Sequence, residues 1–146
     1  NSGVTYMIIR NLEKKDAGAV ALLIPQLTQN INEPEKLVGR IGELTNMQGG
    51  QYVVVEVNGS VVGFGGLVWY TIPSKGLVGW LEEIVVDQAF RGQGIAKALI
   101  GELLKIAEQK YITTIKLTYI NSITNSLYEK FGFVKKDHQY FAKKIN

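Results

Sequence analysis

An α+β fold follows from three observations along these 146 residues. Helix-like and strand-like hydrophobic periods succeed one another in the order β-α-α-β-β-β-α-β-α-β, an Asn-Gly pair splits a long β-branched stretch, and a glycine-bearing turn joins a β-rich strand to an amphipathic helix. With 46% hydrophobic residues, a chain of this length falls where one compact domain with a sizeable core is expected, so residues 1–146 are read as a single domain. Met7 opens a segment, MIIRNLEKKD, that reads as a natural start and puts the core at 7–146.

The run Thr5 to Asn11 is β-rich, and Asp16 stands where a helix N-cap belongs, before a helix over Ala17 to Leu23. Pro34, between Glu33 and Glu35, suits the first turn of a second helix carrying Leu37, Ile41 and Leu44 on one face, and Gly49-Gly50 stops it. Between Tyr52 and Ile72 the density of β-branched and aromatic residues is high, with Asn58-Gly59 in the middle, which predicts an antiparallel hairpin. Gly63, Gly65 and Gly66 in its second strand permit a bulge or a close backbone approach. Pro73-Ser74-Lys75-Gly76 turns the chain into a fourth strand, Val78 to Val86. A helix from Gly92 to Lys110 follows, burying Ile95, Leu99, Leu103 and Ile106 and wetting Lys97, Glu102, Lys105 and Glu108. Then come a strand over Thr113 to Ile120, a short helix from Ser122 to Phe131 capped by Gly132, and further strand from Phe133 to Ile145 with a turn near Asp137-His138. No internal repeat, linker or low-complexity segment interrupts this order.

Composition narrows the chemistry. There is no cysteine, which excludes disulfides, a thiolate nucleophile and cysteine-based metal sites, and no metal is expected. The 16 basic and 13 acidic residues leave a net charge of +3 with the lysines scattered, a balance that suits a polyanionic small ligand better than a nucleic acid. No apolar stretch approaches the roughly 20 residues that span a bilayer, and the first residues lack a secretory layout, so no membrane partner and a cytoplasmic location are expected.

The turn in IVVDQAFRGQGIAKALI is an expected anion site. Unpaired amides at a helix N-terminus point outward with the positive end of the helix dipole behind them, and glycines let a phosphate approach the backbone. A plain turn with strain-relieving glycines satisfies the same spacing. No Lys-Ser or Lys-Thr follows the glycines, as a Walker loop requires, and the third glycine of a dinucleotide fingerprint is missing, so ATP and NAD fit poorly.

The segment RGQGIA resembles the R/Q-x-x-G-x-G/A signature of the GNAT acyltransferases, matching at Arg91, Gly94 and Ala96. One strand later, NSITNSLYEKFGF resembles that family's second block, with Thr124 where the family often has alanine. The resemblance covers the chain from Met7 and implies a layered α/β/α form: a mixed, mostly antiparallel sheet with splayed central strands and helices on both faces. It implies an N-acetyltransferase that moves the acetyl group of acetyl-CoA to a primary amine by direct attack in a ternary complex. The cofactor pyrophosphate then falls on the backbone of Arg91, Gly92, Gln93, Gly94, Ile95 and Ala96, and the pantetheine arm pairs with Ile84, Val85 and Val86 of the fourth strand. A backbone amide there can hold the thioester carbonyl and stabilise an oxyanion. Asn121 matches a family position that bonds the cofactor arm, and a simple N-cap is equally compatible.

Two side chains are expected to move protons. A thiolate leaving group needs a proton, which the phenol of Tyr128 can supply, although the ring could simply pack. An ammonium has no lone pair, so the acceptor must lose a proton. Glu82 and Glu83 are the acids of the central strand, and pleating sends them to opposite faces. By analogy with the family Glu82 is taken as the base, directly or through water, and Glu83 as structural or as an acceptor contact. His138 is read as surface, and Trp69, Tyr70 and Trp80 as weak candidates near the acceptor end. The acceptor, a small molecule or a peptide amine, stays open, as does the acyl preference. Oligomeric state is open too, a homodimer fitting a family whose members are often dimers. The competing reading is a non-catalytic acyl-CoA-binding regulatory domain of the same fold.

Overall fold

The structure, a computed structural model, describes residues 6–118, 125–137 and 140–146. Five strands form one sheet in the order β1-β2-β3-β4-β5: β1 Met7–Asn11, β2 Gly50–Val57, β3 Ser60–Ile72, β4 Gly76–Val86 and β5 Thr114–Lys116. The first three junctions are antiparallel and the last is parallel. The β2–β3 hairpin turns at Asn58 and Gly59, both left-handed (φ 50° and 84°), as an Asn-Gly turn requires.

Helices cover both faces. On one, α1 (Ala17–Leu27) and α2 (Leu37–Glu43) set Leu23, Ile24 and Ile41 against Val54, Phe64 and Val85 of the sheet. On the other, α3 (Ile95–Gln109) buries Ile95, Leu99, Leu103 and Ile106 on Val53, Val55, Leu67, Leu81 and Val86, the stripe its 3.6-residue period specifies. The short α4 (Asn125–Lys130) lays Leu127 and Tyr128 on the same side and ends at Gly132 (φ 89°). The amides of Gly132 and Phe133 donate to the carbonyls of Glu129 and Tyr128, the bond pair of a left-handed glycine cap. Among the described residues no helix is long and apolar enough to cross a membrane.

Four expectations are corrected. Asp16 precedes α1 but does not cap it. A 3₁₀ turn over Lys14–Asp16 runs directly into the helix, and the Asp16 carboxylate, 3% exposed, accepts from Arg10 at 2.7 and 2.8 Å and from the Glu13 amide at 2.8 Å. Arg10 also donates to Glu56 at 2.6 Å, so one guanidinium ties β1, β2 and the start of α1. The hydrogen bonds from Arg10 hold the Asp16 carboxyl below its ordinary value, against burial. Next, α3 starts at Ile95 instead of Gly92, because Gly92 and Gly94 stand at φ 82° and 81°, which a right-handed helix cannot include. Third, β5 is confined to Thr114–Lys116; residues 117 and 118 form no strand, and 119–120 lie outside the described residues. Finally, no strand forms within 133–137 or 140–146. A strand exists only through its ladder, and there the chain finds no partner in its own sheet.

Candidate active site

The centre of the site is an irregularity in β4. Phe64 pairs with Val85 and Gly66 with Glu82, so Gly65 alone opposes both Glu83 and Ile84. This is a β-bulge, and Glu83 occupies it with φ 52°, a conformation costly for a residue with a Cβ. The bulge overturns the alternation expected for the two acids. Leu81 belongs to the α3-side core, Ile84 packs against that same core and Val85 belongs to the α1/α2 side, so the extra residue is absorbed between them. Glu83 lines a cavity of about 260 Å³ between α1, α2 and the sheet, together with Ile24, Arg40, Ile41, Tyr52 and Phe64. Both carboxylates act electrostatically on Tyr52.

Burial and charge tune this group. Desolvation raises the Glu82 carboxyl above its ordinary value, with a further push from the charge of Glu83, and desolvation raises Glu83 as well. Tyr52 is pushed up to about 12, by burial first and then by the two carboxylates. Its ring stacks on Phe64 with centroids 5.4 Å apart and lies over Gly66, where a Cβ would collide with it. Tyr52 and Arg40 are cavity residues that sequence reasoning missed. The only signal for Tyr52 was a glycine in the facing strand, and its register was unknown. Arg40 donates to the Asn32 carbonyl and pairs with Glu33 at 3.1 Å.

Just ahead of the bulge, β4 loses its second neighbour. The β4–β5 ladder ends at Trp80 and Lys116, so from Leu81 through Ile84, Val85 and Val86 that flank of β4 has no ladder partner among the described residues. Val85 and Val86 are buried, so what they can offer on this flank is backbone without a ladder partner, not side-chain chemistry.

The open flank leads to the turn before α3. Arg91, Gly92, Gly94, Ile95, Ala96 and Lys97 line a cleft of about 220 Å³ with Val86, Phe90 and Leu127. Gln93 is exposed and outside that lining. The left-handed glycines bend the chain so that the amides of Ile95, Ala96 and Lys97 begin the helix without partners inside it, and no side chain caps them. Space around both glycines is open on the side a Cβ would take. Arg91 anchors through its Nε to the Val86 carbonyl at 3.1 Å, which holds a guanidinium beside the turn. A pyrophosphate fits this cradle of amides, open glycines and one arginine.

Tyr128 is half-buried on α4, edge-on to Phe133 with centroids 5.9 Å apart, and burial raises its phenol. Its neighbour Leu127 reaches the glycine-turn cleft, so Tyr128 belongs to the α3 side of β4 and the carboxylates to the other. Asn121 and His138 lie outside the described residues. Trp80 donates from Nε1 to the Tyr70 hydroxyl at 3.2 Å, and Lys110 sits 4.5 Å over the Trp69 ring, so these aromatics form surface pairs outside both cavities. Among the described residues no cluster of His, Asp and Glu is arranged to hold a metal.

This geometry has relatives. The model of the acetyltransferase (GNAT) family matches residues 19–133. The chain is 31% identical over 141 residues to a glucosamine 6-phosphate N-acetyltransferase of Trypanosoma brucei brucei, covering 90% of this chain and 91% of that one. Among solved structures it is similar to an acetyltransferase of Trypanosoma brucei, with TM-score 0.80, 26% identity and coverage of 95% of this chain and 100% of that one. It is also similar in fold to a predicted acetyltransferase of Clostridium acetobutylicum solved with acetyl-CoA, with TM-score 0.78, 19% identity and coverage of 94% and 96%. Because the family match runs unbroken from α1 through the bulged strand and the glycine turn to the end of α4, the protein belongs to the acetyltransferase (GNAT) family of acyltransferases.

Proposed function

We propose that residues 7–146 form one catalytic domain that transfers the acetyl group of acetyl-CoA to a primary amine, with glucosamine 6-phosphate as the first acceptor to test. The observation that carries this reading is the open flank of β4, which runs from the bulge, where Glu83 lines one cavity, to Val86, which lines the glycine-turn cleft. A linear cofactor can lie along that flank with its pyrophosphate on the amides of Arg91–Ala96 and its acetyl end near the bulge. Acetyl-CoA supplies an activated thioester. The neighbour of Clostridium acetobutylicum solved with acetyl-CoA supports the cofactor, and the name of the trypanosomal relative supports the acceptor.

The chain's own groups divide the remaining work. The α1/α2-side cavity holds the acceptor. Glu82, with a raised carboxyl, takes the ammonium proton near neutral pH more readily than an ordinary glutamate does, while Glu83 contacts the acceptor at the rim. Backbone amides of Ile84–Val86 hold the thioester carbonyl, which leaves side-chain identity there secondary. Tyr128 donates the proton that the departing thiolate requires, and Asn121 bonds the cofactor arm.

A thiol-release assay with acetyl-CoA and a panel of amines tests the proposal directly. With no cysteine in the chain, a thiol reagent reports only free CoA. Release that depends on glucosamine 6-phosphate is expected, and release with another amine instead would move the acceptor class. A melting temperature raised by acetyl-CoA without release for any amine would favour a non-catalytic binding domain. No thermal shift at millimolar acetyl-CoA would remove the foundation of the reading.

A further inference from the structure

Resting on the acetyl-transfer reading above, we propose that Tyr52 is an acceptor-binding residue whose hydroxyl joins Glu82 and Glu83 in a three-oxygen seat for a protonated primary amine. Tyr52 of β2 pairs with Gly66 of β3, and Gly66 pairs with Glu82 of β4, so the three form one row across the sheet. Residues directly opposite one another in such a row leave the sheet on the same face. Phe64, two residues before Gly66 on β3, marks that face as the α1/α2 side.

The middle of the row carries no side chain. Gly66 lies outside the left-handed region, so its backbone makes no demand for glycine. What demands it is the Tyr52 ring, which lies where a Cβ of Gly66 would stand, with Cζ among the atoms met there. The ring therefore crosses β3 and carries its hydroxyl from β2 towards the two carboxylates of β4, whose charges reach it. Glu83, placed on this side by the bulge, and Tyr52 line the same cavity.

Packing accounts for the ring but not for the hydroxyl. Phenylalanine would stack on Phe64 equally well, and a phenol taken out of water without a partner costs free energy. No hydrogen bond to the Tyr52 hydroxyl occurs among the described residues, and its oxygen is not sealed from solvent. One donor and two lone pairs therefore face the cavity. Burial pushes the phenol up to about 12, so it stays protonated at neutral pH; its O–H can donate to a carboxylate while a lone pair accepts from a ligand. Arg40 is the other charged residue of the lining, and the Asn32 carbonyl and Glu33 already engage it. A primary ammonium brings three N–H donors, one for each of the three groups. Each N-alkyl substituent removes one.

The amine that supports CoA release and its N,N-dimethyl derivative provide the test, with binding measured by calorimetry on CoA-loaded protein, where no acetyl group can move. The parent protein should hold the primary amine about tenfold or more tighter than the dimethyl derivative, as hydrogen bonds to charged groups imply. Tyr52→Phe keeps the stack on Phe64, so it should weaken the primary amine by about tenfold and leave the dimethyl derivative and CoA unaffected. Gly66→Ala, which displaces ring and hydroxyl together, should narrow the same ratio, and it decides the matter if Tyr52→Phe fails to fold. A ratio unchanged in the deciding variant, or both amines weakened equally, overturns the proposal and leaves the acetyl-transfer reading standing. A parent protein that binds the two amines alike overturns it too. If the parent releases CoA with no amine at all, the reading fails and the proposal falls with it.

Discussion

The two sides of β4 are built from different materials. On the α1/α2 side the cavity consists of side chains, Glu83, Tyr52, Phe64 and Arg40, brought together by a bulge in which a glutamate is left-handed. On the α3 side the cleft is chiefly backbone, with two left-handed glycines and the first amides of a fifteen-residue helix. The first arrangement stores strain and desolvated charge, and the second stores neither. A side-chain cavity can be retuned by single substitutions, so it suits discrimination among acceptors. A backbone cradle depends on side-chain identity only where its glycines must be left-handed, so it suits a ligand that does not vary.

Four substitutions can break or sharpen this contrast. The largest expected effect is on Tyr128, the one side chain of the α3 side assigned to chemistry. Tyr128→Phe keeps the ring and its contact with Phe133, so acetyl-CoA affinity should hold while turnover falls by about 10²–10⁴-fold, the range for general acid catalysis. Full activity, where product release is shown not to limit the rate, would mean that water protonates the thiolate. A fall in affinity alongside rate would make Tyr128 a positioning residue.

The second substitution attacks the packing of the side-chain cavity. Gly66→Ala puts a methyl group into the Tyr52 ring, which must give up its stacking on buried Phe64 or turn into the cavity it lines. Overpacking of this kind costs about 1–3 kcal/mol, readable by denaturant melts. A variant as stable as the parent would show that Tyr52 is free to move and that the cavity is softer than its geometry suggests.

In the backbone cradle, Gly94→Val forces a β-branched residue into φ 81° and raises a side chain where an anion would sit. Left-handed backbone costs an L-residue about 1–2 kcal/mol, so acetyl-CoA affinity should drop by about tenfold or more, checked by calorimetry on protein shown to be folded. Unchanged affinity would reduce the loop to a connection.

The smallest effect is a shift in pH profile. Glu82 must be ionised to accept a proton, and the negative charge of Glu83 makes ionisation harder, raising the Glu82 carboxyl. Removing that charge in Glu83→Gln therefore lowers it, and the acid limb of kcat/KM moves to lower pH. A limb that stays in place, measured across the acid range with saturating cofactor, would separate Glu82 from the base role.

How much of this was legible in the residues follows the same division. The strand, glycine turn and helix were visible because their determinants are local: glycines at fixed offsets, a β-rich run before them and a 3.6-residue apolar period after. The hairpin at Asn58-Gly59 was visible for the same reason, since two adjacent residues set its turn. The pairing of Asp16 with Arg10 was not visible, because a short acid before a helix is also what a cap looks like. Competition from a guanidinium six residues earlier appears only once β1 and the start of α1 meet.

By itself, the sequence determined the order of elements from β1 to α4, the stripe that α3 buries and the place of the glycine turn before it, because each depends on backbone preference within one segment. The tertiary structure alone decided which face Glu83 serves. A bulge is a mismatch of count between two strands, one residue of β3 against two of β4, and nothing in either strand read singly contains it. Only the structure, likewise, left residues 133–137 and 140–146 without a ladder: strand propensity is a property of a segment, but a partner is a property of the space beside it.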